Sequence, residues 1–122
     1  MTRVLIVDDN ASIVKVTRIV LERSGYVVES ADDERLFALV ETWEPAIVLM
    51  DARLPLIDGV DACRRLKTNP MTAGLPVVLM TGDHGAHELA ASAGADGVLM
   101  KPFSRTDLIG TIERLVAIGR QE

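Results

Sequence analysis

The sequence has little cysteine, no cluster of basic residues and no long apolar segment. Cys63 is the single cysteine, so an internal disulfide is excluded. Lysine and arginine form no run that would neutralise a nucleic-acid backbone, and the formal net charge is -5. Asp8 and Asp9 come too early for a signal peptide, and no apolar stretch has membrane-spanning length. These absences predict a cytoplasmic protein that contacts neither nucleic acid nor membrane.

Length and composition favour one folding unit. The chain has 122 residues, of which 48% are hydrophobic, and this suits one domain with its own core. No internal repeat, low-complexity segment or linker divides it. We therefore predict a single domain over residues 1–122.

Five short apolar runs predict β-strands, over residues 4–7, 26–28, 46–50, 77–80 and 98–100. Four of the five are continuously apolar rather than alternating. That pattern is typical of parallel strands that helices cover on both faces of a sheet.

Segments with helical spacing follow the strands. The first, over about 11–24, ends at Gly25 and has an apolar stripe formed by Ile13, Val16, Thr17, Val20 and Leu21. The second runs from Asp32 and Asp33 to about residue 43, and the third from near Asp58 to the break at residue 69. The fourth is a weak Ala-rich stretch before Gly94, and the fifth begins with an N-cap at Ser104. Five βα repeats predict an α/β fold, a doubly wound parallel sheet whose ligands bind beyond the carboxyl ends of the strands.

Polar residues follow four of the predicted strands. Asp8 and Asp9 follow the first, Asp51 the third, Thr81 the fourth and Lys101 the fifth. Three carboxylates at one sheet edge repel one another unless a hard cation joins them, and Mg²⁺ prefers such oxygen ligands. A lysine and a hydroxyl suit the oxygens of a phosphoryl group, with Asp51 as the best nucleophile. Alternatively, Asp8 and Asp9 only cap the first helix. The five residues together, rather than any one of them, favour a chemical role over a structural one.

The chain resembles a response-regulator receiver domain of two-component systems over essentially its whole length. The resemblance rests on VLIVDDN at residues 4–10, DARLPLIDG at 51–59, MTG at 80–82, GADG at 94–97 and KPF at 101–103. It implies a flavodoxin-like fold with strand order 2-1-3-4-5. It also implies that Asp51 accepts a phosphoryl group from a phosphohistidine of a sensor kinase or phosphotransfer protein, with slow self-dephosphorylation and no further enzymatic activity.

The resemblance also implies roles for the surrounding residues. Asp9 and Asp51 would bind Mg²⁺ directly, with Mn²⁺ as an alternative, and Asp8 would act through water. The backbone carbonyl of Arg53 would complete the protein ligands, and the peptide bond between Lys101 and Pro102 would be cis.

The chain departs from the family at Val98, where a Tyr or Phe usually stands and rotates on phosphorylation. Valine is short and stiff at χ1, so it cannot replace that movement. We therefore expect a relay or partner-binding role rather than transcriptional control. The sequence ends soon after the fifth predicted helix, which favours a stand-alone protein; the alternative is a receiver module cut from a longer regulator or hybrid kinase.

Several loop and surface residues carry secondary hypotheses. Arg53 and Asp83 are expected to flank the mouth of the pocket, where they either pair and control water or are merely solvated. Val14 and Ile19 are a possible docking surface for the phosphoryl donor. Gly59 is interpreted as a position of unusual backbone geometry. The spacing of His84 and His87 could suit a metal, but no further ligand completes such a site.

Three other functions fit less well. A haloacid-dehalogenase-like phosphohydrolase needs a second Asp two residues after the nucleophile, where this chain has Arg53. A flavodoxin-like binding module needs a phosphate loop after the first strand, where Asp8, Asp9 and Asn10 would repel phosphate without a metal. A degenerate receiver would lack part of the pocket, which is complete here.

Overall fold

Five parallel strands form the centre of the molecule. The structure is a computed structural model that describes residues 1–83 and 85–120, apart from the side chains of residues 86, 87, 89 and 118–120. Within this part of the chain, the strands are β1 (Arg3–Val7), β2 (Val27–Ala31), β3 (Ile47–Asp51), β4 (Val77–Thr81) and β5 (Gly97–Met100). Their order in the sheet is β2-β1-β3-β4-β5, which confirms the expected topology.

Helices cover both faces of this sheet. They are α1 (Ala11–Arg23), α2 (Leu36–Trp43), α3 (Gly59–Thr68), α4 (Ala86–Ser92) and α5 (Arg105–Arg120). Leu5 and Val7 of β1 pack in one core with residues of α2, α3 and α4, whereas Val4 and Ile6 pack in a second core with α1 and α5. Successive side chains of a strand point to opposite faces, so both sides of β1 are buried and its run is continuously apolar.

The second strand lies later in the sequence than predicted, at Val27–Ala31 rather than at residues 26–28. It is an edge strand in which Val27 and Glu29 are exposed, Ser30 is half-buried, and Val28 and Ala31 are buried in the two opposite cores. An edge strand tolerates Glu29 and Ser30, which broke the apolar run on which the prediction depended.

The buried face of α1 differs from the predicted stripe. Thr17 and Leu21 are buried as expected, but Val16 is 61% exposed. Val14, which was expected to lie off this face, is half-buried and packs against the core with α5. The stripe therefore passes through residues 14, 17 and 21, a spacing that also fits one helical face.

Side-chain caps set the helix starts. The Asn10 side chain accepts hydrogen bonds from the N–H groups of Ser12 and Ile13, at 3.0 and 3.2 Å, and caps α1. Ser104 caps α5, as predicted, and Asp58, near which the third helix was expected to begin, caps α3. The predicted start of α2 is wrong: Asp32 accepts a hydrogen bond from the Arg35 N–H at 2.9 Å, which holds a turn, and the helix begins only at Leu36. No helix within the described residues is long and apolar enough to cross a bilayer.

Candidate phosphoryl-accepting site

The polar residues predicted from the strand ends meet at the carboxyl edge of the sheet. Asp51 pairs in register with Met80, and Thr81 with Met100, so the ends of β3, β4 and β5 lie side by side. Asp8 comes immediately after β1, which neighbours β3. The parallel topology thus joins residues that are up to 93 positions apart in sequence.

Lys101 is the cation of this edge. Its Nζ lies 3.0 Å from Asp8 Oδ2 and 3.3 Å from Asp51 Oδ2. The Lys101 backbone N–H donates to the Thr81 carbonyl at 2.7 Å, and the Lys101–Pro102 peptide bond is cis. Burial lowers the pKa of Lys101, but the hydrogen bond and charge of Asp8, together with Asp51, outweigh it and raise the pKa above its usual value. The ammonium is therefore charged throughout the physiological pH range.

The two carboxylate partners of this lysine belong to a cluster of three. One oxygen from each of Asp8, Asp9 and Asp51 lies within 4.8 Å of the others. Asp8 is buried and Asp9 is exposed. Burial raises the pKa of Asp51, against the opposing effects of the Arg53 N–H and Lys101. One ammonium does not neutralise three carboxylates, so the cluster has the charge and the oxygen ligands that a divalent cation requires.

Each oxygen of Asp51 has a separate partner. Oδ1 accepts a hydrogen bond from the Arg53 N–H at 3.1 Å, while Oδ2 faces Lys101. Thr81 is buried, and its Oγ1 accepts a hydrogen bond from the Asp83 N–H at 3.0 Å, so the hydroxyl hydrogen can be donated to a ligand. These groups border a cleft of about 470 Å³ lined by Asp51, Arg53, Thr81, Gly82, Asp83 and Lys101.

Arg53 and Asp83 pair across the mouth of this cleft. Arg53 Nη2 lies 3.4 Å from Asp83 Oδ2, so of the two arrangements considered the side chains do pair, although both remain largely in solvent. The two side chains are 84% and 55% exposed, and exposed pairs are worth about 0–1 kcal/mol. The pair can therefore restrict access to the cleft only weakly.

Gly59 has a role other than the one predicted. Its φ is outside the positive region, where Gly25 and Gly94 lie. Instead, a Cβ at position 59 would stand 2.0 Å from the carbonyl oxygen of Asp51. The start of α3 thus packs directly against the end of β3, and only glycine leaves room for that contact.

Asp33 is a structural residue that sequence reasoning missed. It was interpreted as a helix start, but it is buried and accepts a hydrogen bond from the Leu56 N–H in the loop after Asp51. A single acidic residue beside another gives no sign of such a long-range contact.

The remaining predicted residues lie outside the cleft. Val98 is half-buried and packs against the core formed with α2, α3 and α4. Val14 is half-buried, whereas Ile19 is 42% exposed. The possible metal role of His84 and His87 falls on side chains outside the described ones.

Comparisons with known proteins agree on one family. The response regulator receiver domain family matches residues 4–113. The chain is similar to the DNA-binding dual master transcriptional regulator RpaA of Synechocystis, with 34% identity over 95% of this chain and 49% of that protein. It is also similar to the alkaline phosphatase synthesis transcriptional regulatory protein PhoP of Bacillus subtilis, with 31% identity over 93% of this chain and 48% of that protein. The chain therefore spans about half the length of these curated relatives.

Solved structures of similar fold cover nearly all of the chain. A CheY-like response regulator receiver domain protein from Methanospirillum hungatei has a TM-score of 0.90 and 28% identity, over 99% of this chain and 98% of that chain. The receiver domain of a sensor histidine kinase from Pseudomonas aeruginosa has a TM-score of 0.87 and 28% identity, over 95% and 98%. The latter structure holds a magnesium ion in its active-site cleft.

Proposed function

Because the chain belongs to the response regulator receiver domain family, we propose that it accepts a phosphoryl group on Asp51 and signals through protein contacts that depend on that group. One observation carries the proposal: Lys101 Nζ contacts both Asp8 and Asp51, beside the buried hydroxyl of Thr81. This arrangement places a nucleophile, a fixed cation and a hydroxyl donor around one cleft.

The acidic cluster fits Mg²⁺, since its three carboxylate oxygens lie close enough to share one cation. In this proposal Asp9 and Asp51 bind the cation directly, Asp8 acts through water, and the Arg53 carbonyl completes the protein ligands. Mn²⁺ is an alternative cation for the same ligands. When bound, the cation supplies positive charge to the oxygens of the transferred group.

The chain's own residues then position and stabilise the transferred group. Asp51 forms a P–O bond as the P–N bond of a donor phosphohistidine breaks, and the electron pair of that bond remains on the imidazole. Lys101, which lies 3.3 Å from Asp51 Oδ2, neutralises an oxygen of the new phosphoryl group. The Thr81 hydroxyl donates to another oxygen, because its Oγ1 already accepts from the Asp83 N–H. Slow attack of water on phosphorus in the same cleft breaks the bond to Asp51, releases inorganic phosphate and returns the free carboxylate. We expect no other enzymatic activity.

The phosphoryl donor in this proposal is a histidine kinase or a histidine phosphotransfer protein. An apolar groove beside the site, lined by Ile13, Val16, Phe103 and their neighbours, could seat a donor helix. Val16 and Ile19 are the large apolar residues of α1 that are exposed, whereas Val14 is half-buried, so Val16 replaces Val14 in the proposed docking surface. Ile19 keeps the role expected from the sequence.

Two forms of output are consistent with the relatives. In the first, residues 1–122 form a single receiver domain that acts in the cytoplasm as a relay or a partner-binding protein, because Val98 replaces the usual switch aromatic. In the second, the chain is the receiver part of a longer regulator or hybrid kinase; its relatives, which are about twice as long, favour this form. In both we expect this domain to make no direct contact with nucleic acid or membrane, because its basic residues form no cluster.

Intact mass spectrometry tests the proposal. The protein is incubated with acetyl phosphate and Mg²⁺, beside Asp51→Asn and an EDTA-treated sample. A gain of about 80 Da, the mass of one phosphoryl group, is expected only when both Asp51 and the metal are present. The same gain in Asp51→Asn would refute the assignment. If acetyl phosphate gives no gain, binding of beryllofluoride with Mg²⁺ is measured, and failure of that binding would leave a degenerate receiver.

A further inference from the structure

Asp33 is a buried carboxylate outside the phosphoryl-accepting cleft. It lies in the turn between β2 and α2, and only 7% of its surface is exposed. Its Oδ2 accepts a hydrogen bond from the Leu56 N–H at 2.5 Å, across 23 residues of sequence. A buried carboxylate costs free energy unless it is hydrogen-bonded, so this contact constrains both partners.

Leu56 lies in the loop between β3 and α3, residues 52–58. The two ends of the loop are held elsewhere: the Ala52 N–H donates to Met80 at 2.9 Å, and Asp58 caps α3. Leu54 and Ile57 pack against the core, but Leu56 is 65% exposed. Near its start the loop is joined to the segment after β4 by the exposed side-chain bond from Arg53 to Asp83. Among the hydrogen bonds described for residues 1–83 and 85–120, the bond to Asp33 joins residues 54–57 of this loop to another part of the fold.

The same loop carries the backbone groups of the proposed metal site. The Arg53 N–H donates to Asp51 Oδ1 at 3.1 Å, and the Arg53 carbonyl is the proposed backbone ligand. Both groups lie three residues before Leu56, so a change in the path of the loop moves them relative to Asp9 and Asp51. Groups that orient metal ligands affect affinity although they never touch the metal.

We propose that Asp33 is a positioning residue for the metal site, which it serves by holding the loop that carries Arg53 through the Leu56 N–H. This inference rests on the proposed function, because it requires a cation bound by Asp9, Asp51 and the Arg53 carbonyl.

The chain offers a matched control in the neighbouring Asp32. This residue has the same side chain and also accepts one backbone hydrogen bond, from Arg35, but it is exposed, and the hydrogen bond described for it is local to the turn before α2. Asp33→Ala removes the acceptor of the Leu56 N–H, Asp33→Asn keeps an oxygen acceptor, and Asp32→Ala removes only charge and a local bond.

Mn²⁺ titration, followed by the electron paramagnetic resonance signal of the free ion, measures the affinity directly. We expect Asp33→Ala to weaken Mn²⁺ binding about tenfold, the lower end of the range for groups that orient metal ligands. Asp33→Asn and Asp32→Ala should bind close to wild type. The rate of phosphorylation by acetyl phosphate should fall in Asp33→Ala at low Mg²⁺ and recover at saturating Mg²⁺, a dependence that a general loss of structure does not produce. Wild-type affinity in folded Asp33→Ala would overturn the inference.

A second pair of variants tests the same bond from the exposed side. Leu56→Pro removes the donor N–H, whereas Leu56→Ala keeps it and shortens the same side chain. If Asp33→Ala does not fold, weaker Mn²⁺ binding in Leu56→Pro than in Leu56→Ala supports the inference, and equal binding overturns it.

Mn²⁺ titrations of three proteins separate this inference from the proposed function: wild type, Asp9→Asn and Asp51→Asn. Wild-type binding that is lost in Asp9→Asn and Asp51→Asn establishes the metal site, so that an unchanged Asp33→Ala would refute only the role of Asp33. If wild-type binding is absent or insensitive to Asp9 and Asp51, the proposed metal site is refuted and the role of Asp33 falls with it.

Discussion

Replacement of Gly59 by alanine should strongly destabilise the protein, because the new methyl group would meet backbone rather than a movable side chain. The added Cβ would lie 2.0 Å from the Asp51 carbonyl oxygen and 2.9 Å from Ala52 Cα. Ordinary contact begins near 3.4 Å, so the start of α3 and the end of β3 must separate by about 1.4 Å. That separation also stretches the hydrogen bond from the Gly59 N–H to the Ala52 carbonyl, now 3.0 Å.

The magnitude follows from two effects. Overpacking of a well-packed interior costs about 1–3 kcal/mol, and loss of the hydrogen bond adds about 1 kcal/mol. We therefore expect Gly59→Ala to lower the free energy of unfolding by about 2–4 kcal/mol, measured by urea denaturation. Because each kcal/mol shifts the melting temperature of a chain of this length by about 4 °C, the loss is also visible in a thermal melt.

Gly110→Ala is the matched control. Gly110 lies within α5, and apart from its chain neighbours and the adjacent backbone of the helix no described atom lies within 4 Å of a Cβ built there. Alanine is the better helix former, so this variant should gain about 0.5–1 kcal/mol. If Gly59→Ala were as stable as wild type or Gly110→Ala, the close packing of α3 against β3 would be refuted.

Three further substitutions test separate contacts. Lys67→Met should lower the free energy of unfolding by about 1–2 kcal/mol in urea, because the half-buried Lys67 bonds Asp96 at 2.9 Å and the Leu75 carbonyl at 3.0 Å. Arg64→Met, which breaks an exposed pair on the same helix, should cost less than about 0.5 kcal/mol, and equal losses would contradict this reasoning. Val16→Asp should slow transfer from a phosphohistidine protein about tenfold, as loss of an interface contact does. It should not slow phosphorylation by acetyl phosphate. Met71, an exposed residue in the loop between α3 and β4, is the control, and an equal effect of Met71→Asp would argue against a docking surface on α1. Arg53→Ala should shorten the acyl-phosphate half-life by about two- to fivefold, the rate equivalent of an exposed ion pair, and an unchanged half-life would refute control of water by that pair.

The sheet and the residues at its carboxyl edge could be predicted because each depends on a short-range pattern. Continuous apolar runs indicated buried parallel strands, and parallel strands place their carboxyl ends at one edge. The positions of Asp8, Asp51, Thr81 and Lys101 next to those runs therefore predicted that they would meet. Asn10 rather than Asp8 or Asp9 caps α1, which leaves those carboxylates for the cluster.

Contacts between distant loops could not be predicted in this way. Asp33 and Leu56 are 23 residues apart, and neither stands in a periodic pattern that indicates their hydrogen bond. The burial of Val14 and exposure of Val16 depend on how α1 is rotated against α5, and a short helix with several apolar residues allows more than one face to be buried. Gly59 needs space rather than a special φ, and sequence alone does not distinguish these reasons.

The most direct test of the central claim identifies the residue that carries the phosphoryl group. The phosphorylated protein is reduced with borohydride, which converts an acyl phosphate of aspartate to homoserine, and the peptides are sequenced by mass spectrometry. We predict homoserine at position 51, only after incubation with a phosphoryl donor and Mg²⁺. Homoserine at position 8 or 9 instead, or at position 51 in a sample kept in EDTA, would contradict a metal-dependent transfer to Asp51.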